Sequence, residues 1–156
     1  MKLYKLISVV MVIFLSACAT QGPTMTPLEI QSMQTREYEQ DKDIVFPSVM
    51  SVFQDLGYTV STASKDTGLI TASSASNSSA ASKFWLGVTD VSQTKATAFI
   101  EEIGVITKVR LSFVNTSKRS SAYGQSDQQD TPVLDTGAYQ NAFERIENAI
   151  FIRSSN

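Results

Sequence analysis

Hydrophobic residues recur at the spacing of an amphipathic helix in two segments of the chain. Between Asp41 and Gly57, apolar residues three or four positions apart define one helical face, namely Val45, Val49, Val52, Phe53 and Leu56. The same spacing recurs in Asp135–Arg153, at Tyr139, Ala142, Phe143, Ile146 and Ile150. Asp43 is expected to cap the N-terminus of the first helix, which ends at Gly57. Asp135 or Thr136 is expected to cap the N-terminus of the second helix. Both helices need a second layer against which to bury their apolar faces.

Between the helices, four segments alternate apolar and polar residues, which is the period of a half-buried strand. Tyr58–Ala63 and Gly68–Ser74 are predicted to form one hairpin, whose first strand places on one face Tyr58, Val60 and Thr62. Thr94–Ile103 and Val105–Val114 are predicted to form another. The buried set of its second strand is Val105, Thr107, Val109, Leu111 and Phe113, and a two-residue loop would place beside it Ala96, Ala98 and Ile100. A further strand is expected within Leu28–Glu39.

The short links between these strands imply antiparallel pairing, and two one-sided helices must share one face of the resulting sheet. The predicted fold class is therefore α+β, a two-layer sandwich with an antiparallel sheet of four to five strands and two helices packed on one face. We expect residues 28–156 to form this single domain.

The N-terminal residues have the order of a secretory signal, with Lys2 and Lys5 followed by an apolar run, Leu6–Leu15, that only a serine interrupts. The run is too short to span a bilayer. The next residues complete Leu15-Ser16-Ala17-Cys18, which resembles the lipobox of bacterial lipoproteins. That resemblance implies cleavage before Cys18, lipidation of its thiol and acylation of its amino group. The alternatives are a plain secretory peptide with a chance cysteine, or a membrane-anchoring helix.

On this interpretation residues 1–17 are a signal peptide, and residues 18–27 comprise the lipidated Cys18 and a flexible, proline-bearing tether. Ala19 stands where the inner-membrane retention signal of enteric lipoproteins would have aspartate. The resemblance therefore implies anchoring in lipid of the outer membrane, on its periplasmic side.

Composition excludes several kinds of site. The 156-residue chain has a formal net charge of −2, one cysteine and no histidine. The net charge lacks the excess of basic residues that is typical of nucleic-acid binding. A single cysteine excludes an internal disulfide, and the lack of histidine excludes cysteine–histidine zinc sites and histidine-based catalysis. Glu101 and Glu102 are adjacent and would point to opposite sheet faces, while Asp127 and Asp130 lack the other ligands of a calcium loop. We expect neither an enzyme nor a resident cofactor or metal.

Three features are candidates for binding a partner. Two aromatic residues follow the serine-rich connection Ser73–Ser82, although burial in the core is their alternative explanation. Asn115–Leu134 is predicted to be a long polar loop, of the kind that is often functional but is equally explained as a solvated connection. Basic residues are concentrated near its start and are suited to contact an anionic surface, such as lipid headgroups or an acidic protein. The alternative explanation is an ordinary solvated face. The candidate residues are Phe84, Trp85, Lys108, Arg110, Lys118, Arg119 and Tyr123.

Two longer segments carry a family resemblance. Gln34–Ser73 includes Asp55-Leu56-Gly57-Tyr58, and Val109–Arg153 ends in Ala149-Ile150-Phe151-Ile152-Arg153. Together they resemble uncharacterised Gram-negative outer-membrane lipoproteins that carry one small domain. The order of elements is also similar to the helix-grip domains of BamC, a lipoprotein subunit of the outer-membrane β-barrel assembly machine. BamC has two such domains, whereas this chain has one.

These features predict a non-catalytic binding or scaffolding module of the cell envelope, with an envelope protein as its partner. The alternative is an envelope protein that binds a ligand such as peptidoglycan, a lipid or a small molecule. It requires a pocket between helices and sheet, lined by Phe53, Tyr58 or Phe143. Self-association through exposed strand edges, giving a homo-oligomer, is a further alternative.

Overall fold

The computed structural model describes residues 25–78, 88–121 and 126–155. Within these ranges the chain forms three helices and seven strands. The helices are α1 (Pro27–Gln34), α2 (Lys42–Asp55) and α3 (Thr136–Ser154). The strands are β1 (Thr35–Tyr38), β2 (Tyr58–Ser64), β3 (Leu69–Ser74), β4 (Asn77–Ser78), β5 (Val88–Ile103), β6 (Ile106–Ser121) and β7 (Ser126–Pro132).

All strand pairs are antiparallel, and the main path of the sheet runs β1-β6-β5-β3-β2. The two remaining strands lie beside the long central pair, β4 next to β5 and β7 next to β6. The helices cover one face of this open sheet, so the predicted α+β two-layer sandwich is confirmed.

The core lies between that sheet face and the helices. Both predicted helical faces are buried, apart from the partly exposed Leu56. The sheet contributes the buried residues Ile70, Ala72, Ala96, Ala98, Ile100, Val109, Leu111 and Phe113. The small alanines of β5 leave room for the helices to approach the sheet closely, because an alanine side chain ends at Cβ.

The first hairpin follows the prediction at its start and departs from it further on. Tyr58 pairs with Ser74, but a bulge between Val60 and Thr62 shifts the register. Thr62 therefore lies opposite Thr71, and the prediction that Thr62 shares a face with Tyr58 and Val60 is wrong. The loop has four residues, 65–68, and ends in Gly68 with a positive φ of 72°, as expected for this position.

The second hairpin is longer than predicted. Its strands each have 16 residues and turn at Gly104-Val105. Ala98 lies opposite Leu111, so the expected pairing of the small and large apolar sets is confirmed. Val105 was expected in the buried set, but it belongs to the turn and is 90% exposed, because the strand alternation begins only after it.

The predicted polar loop Asn115–Leu134 is wrong over most of its length. β6 continues to Ser121, and β7 pairs with it from Val114 onward. All seven residues of β7 are exposed, so this part of the sheet has no apolar–polar alternation for a sequence pattern to detect. Hydrogen bonding between adjacent strands stabilises it instead. Tyr123 lies outside the described residues.

The N-terminal part of the domain contains a helix that the sequence analysis missed. The strand expected within Leu28–Glu39 is β1, and α1 precedes it. Thr26 accepts from the backbone N–H of Glu29 (3.3 Å), whose carboxylate accepts from the N–H of Thr26 (2.7 Å). This capping box, with Pro27 in the first turn, was the signal available in the sequence. The N-cap of α2 is Asp41, not the predicted Asp43.

Candidate functional site

The sheet face opposite the helices is the first candidate, and we call it the uncovered face. Leu69, Phe99 and Arg110 lie side by side across three neighbouring strands of this face. Leu69 is 37% exposed and Phe99 44% exposed. The next row along the sheet is charged, because the register aligns Glu37, Lys108 and Glu101. The face therefore combines half-exposed apolar side chains with charges of both signs.

The hairpin turn extends the apolar part of the uncovered face. Ile103 shares the side of β5 that carries Phe99, because the two residues are four positions apart and side chains alternate between the faces of a strand. Ile103 is about half exposed and Val105 beyond it is almost fully exposed. Four of the eight exposed large hydrophobic residues in the described ranges thus lie on this face or at its turn. Leu69 and Phe99 are direct register partners, and adjacent exposed apolar side chains of this kind favour a protein contact.

The four predicted cations do not form one patch. Lys108 and Arg110 lie on the uncovered face, but Lys108 stands between two glutamates in the register. Lys118 and Arg119 lie in the distal part of β6, about 30 Å further along the strand, and their side chains project to opposite faces because they are adjacent. The register also places Arg119 opposite Asp127. A single anionic ligand cannot contact all four residues.

Arg110 connects the uncovered face to a buried polar network. Its guanidinium donates to the side-chain oxygen of Gln34 (3.4 Å). The amide nitrogen of Gln34 in turn donates to the hydroxyl of Tyr139 (3.3 Å), which also accepts from the backbone N–H of Phe113 (3.2 Å). This N–H lies in the gap that β1 and β7 leave along β6, so the tyrosine supplies the acceptor that a neighbouring strand would otherwise provide. The helical pattern identified Tyr139 as core and gave no signal for this second role.

A groove of about 420 Å³ between the helices and the sheet is the second candidate. It is lined by Leu56, Tyr58, Thr94, Phe113, Asn115, Val133, Ala138 and Asn141, and none of these residues is charged. The rings of Tyr58 and Phe113 are 6.1 Å apart and supply aromatic surface. The hydroxyl of Thr94 donates to the side-chain oxygen of Asn115 (2.7 Å) at its polar side. Burial and, to a smaller extent, Tyr139 raise the pKa of Tyr58.

Of the three residues predicted to line a pocket, only Tyr58 lines this groove. Phe53 is fully buried beside it, with its ring 6.0 Å from that of Tyr58. Phe143 lies at a separate acidic groove of about 410 Å³ between β1 and α3, where the guanidinium of Arg36 stands 5.3 Å from its ring centroid. At this second groove the buried hydroxyl of Tyr38 has no hydrogen-bond partner within the described ranges. Desolvation together with Glu147 raises the pKa of Tyr38.

Two specific sites, a cluster of metal-ligating side chains and a serine–lysine catalytic pair, are absent from the described ranges. No group of three or more acidic, cysteine or histidine residues there could hold a metal ion. Ser92 and Lys95 have the Ser-x-x-Lys spacing that serves as a catalytic pair on a helix, but both lie on β5. Residues three apart on a strand point to opposite faces, so they cannot form that pair.

Several predicted site residues lie outside the described residues, namely Cys18, Phe84, Trp85 and Tyr123. Among the helices that the structure does describe, none has the length and apolar character to cross a membrane. Neither a protein-family model nor a curated protein matches the chain.

Proposed function

We propose that this protein is an outer-membrane lipoprotein on the periplasmic side, anchored through Cys18, whose domain is a non-catalytic binding or scaffolding module of the cell envelope. The observation that carries the binding role is the uncovered face. Half-exposed apolar residues lie there among charged residues. Their exposure to water is unfavourable, and a bound partner would remove it. The envelope location comes from the order of charge, apolar run and lipobox-like residues at the N-terminus.

The anchor contributes to binding by confining the domain. A short tether holds the domain in a thin layer near the bilayer, which raises its effective concentration for partners in the same membrane. A contact of modest intrinsic affinity is then sufficient. Several acyl chains on one cysteine would make the anchoring stable, whereas a single chain binds membranes only marginally.

The anchor is tested by the substitution Cys18→Ser in the full-length chain. We expect the protein to move from the membrane fraction to the soluble periplasmic fraction and its function in the envelope to be lost. Ala19→Ser, which leaves the thiol in place, is the matched control and should remain in the membrane fraction. Membrane retention of the Cys18→Ser protein, or full function of a released form, would contradict the proposal.

The uncharged groove favours a second candidate function, binding of an envelope ligand such as a lipid or another neutral molecule. Its volume is within the range of small-molecule sites, and aromatic surface lies next to polar groups that can orient a ligand. A neutral dye, N-phenylnaphthylamine, should gain fluorescence with the wild-type protein. Ala138→Trp would fill the groove and abolish that gain, whereas Asn148→Trp on the same helix should not. An equal gain in all three proteins would exclude the groove as the binding site.

A further inference from the structure

We infer that the uncovered face binds a second copy of this chain, with the two sheets packed face to face. This rests on the proposed function of that face and adds the identity of the partner. Two packed sheets bury their facing side chains in a common layer, which is the architecture of a β-sandwich. Leu69 and Phe99 would provide the apolar centre of that layer.

The distribution of charge on the uncovered face favours a second copy over a partner surface that carries one sign of charge. The row beside the apolar centre contains Glu37, Lys108 and Glu101, and Arg110 lies in the adjoining row. A two-fold axis brings residue i of one copy against residue j of the other and the reverse. A face with acids and cations in neighbouring rows can therefore pair with itself, opposing each acid to a cation of the partner copy.

The same mixture argues against an anionic membrane surface. Lipid headgroups of one sign attract a face that carries one sign of charge, and they repel the two glutamates that flank Lys108. The covered side of the sheet offers no comparable contact, because the helices occupy it.

The contact can be tested in intact envelopes with the full-length chain. Thr97→Cys places a thiol on the uncovered face, one row from Phe99, in a protein whose other cysteine is Cys18. Oxidation should give a species of twice the chain mass. Asn148→Cys on the exposed side of α3 is the matched control and should give none. An adduct of any other mass would identify a different occupant and overturn the inference, as would the absence of an adduct.

Charge reversal makes the test specific for a self-complementary face. In the Thr97→Cys background, Lys108→Glu with Arg110→Glu makes the face acidic, and Glu37→Lys with Glu101→Lys makes it basic. Each variant alone should lose about tenfold of the cross-linked dimer, because like charges then oppose each other. Expressing the two variants together, with tags of different mass, should restore a mixed dimer.

Controls with equal net charge separate the face from a general charge effect. Arg145→Glu with Arg153→Glu, and Glu144→Lys with Glu147→Lys, change the same number of charges on α3 and should cross-link like the parent chain. A mixed pair no better than either variant alone, or an equal loss in the α3 variants, would overturn the inference. Fractionation of the same samples reports membrane anchoring separately, so failure of the anchor is distinguished from failure of the contact.

Discussion

The two faces of the sheet are formed by the same strands and both carry aromatic residues, but one face is buried under the helices and the other is not. Phe113 on the covered face is 5% exposed and touches other aromatic rings, the nearest with its centroid 5.0 Å away. Phe99 on the uncovered face, in the adjacent strand, remains 44% exposed. An alternating strand presents one residue set to each face, and the apolar set that the helices cover forms the core. The covered side of the sheet therefore stabilises the fold, and the opposite side is the one proposed to bind.

Truncation of the two phenylalanines should give the largest difference between the faces. Phe113→Ala removes a buried ring from the aromatic cluster and should lower the free energy of unfolding by about 3–5 kcal/mol. Phe99→Ala should cost less than about 1 kcal/mol, because much of its side chain is already in water. Urea unfolding followed by circular dichroism measures both values. Equal losses would show that the uncovered face is packed as tightly as the core.

Removal of the Tyr139 hydroxyl tests the polar network at the edge of the covered face. Tyr139→Phe leaves the buried N–H of Phe113 and the amide of Gln34 without their acceptor, which should cost about 1–3 kcal/mol. Tyr58→Phe is the control, since the Tyr58 hydroxyl makes no hydrogen bond to any described residue, and it should change stability by less than about 0.5 kcal/mol. The same unfolding assay applies, and a larger loss for the control would refute this role of Tyr139.

The smallest change in the free energy of unfolding is expected for Tyr38→Phe, in β1 beside the edge of the helix layer. Tyr38→Phe removes a buried hydroxyl that has no hydrogen-bond partner among the described residues, and it should raise the free energy of unfolding by up to about 1 kcal/mol. The raised pKa keeps Tyr38 protonated in the folded protein, whereas in the unfolded chain tyrosine ionises at about pH 10. The contribution of the raised Tyr38 pKa to the free energy of unfolding is therefore fully present below that pH and is lost as the pH rises further.

Thermal unfolding between about pH 8 and pH 11 measures this dependence. The melting temperature of the wild-type protein should fall over the alkaline part of the range, and that of Tyr38→Phe should fall less. Parallel curves would mean that Tyr38 does not contribute to the alkaline loss of stability.

Periodicity determined most of the fold. The apolar spacing of two helices and the alternation of two hairpins specify which side chains must be buried, because water disfavours exposed apolar surface whatever the final arrangement. Ala98 and Leu111 could be paired from the sequence because a two-residue loop fixes the register. The same physics gives no signal for β7, whose seven residues are all exposed, so the sequence predicts a loop where the structure has a strand.

The sequence by itself determined the α+β class, the core residues of the two long helices and the absence of histidine chemistry, all of which follow from local spacing or composition. Only the tertiary structure decided that Lys108 stands between two glutamates, that Tyr139 bonds to the N–H of Phe113, and that eight residues distant in the chain enclose an uncharged groove. These features depend on register and on how helices cross the sheet. Both are set by contacts between distant segments, which local patterns do not record.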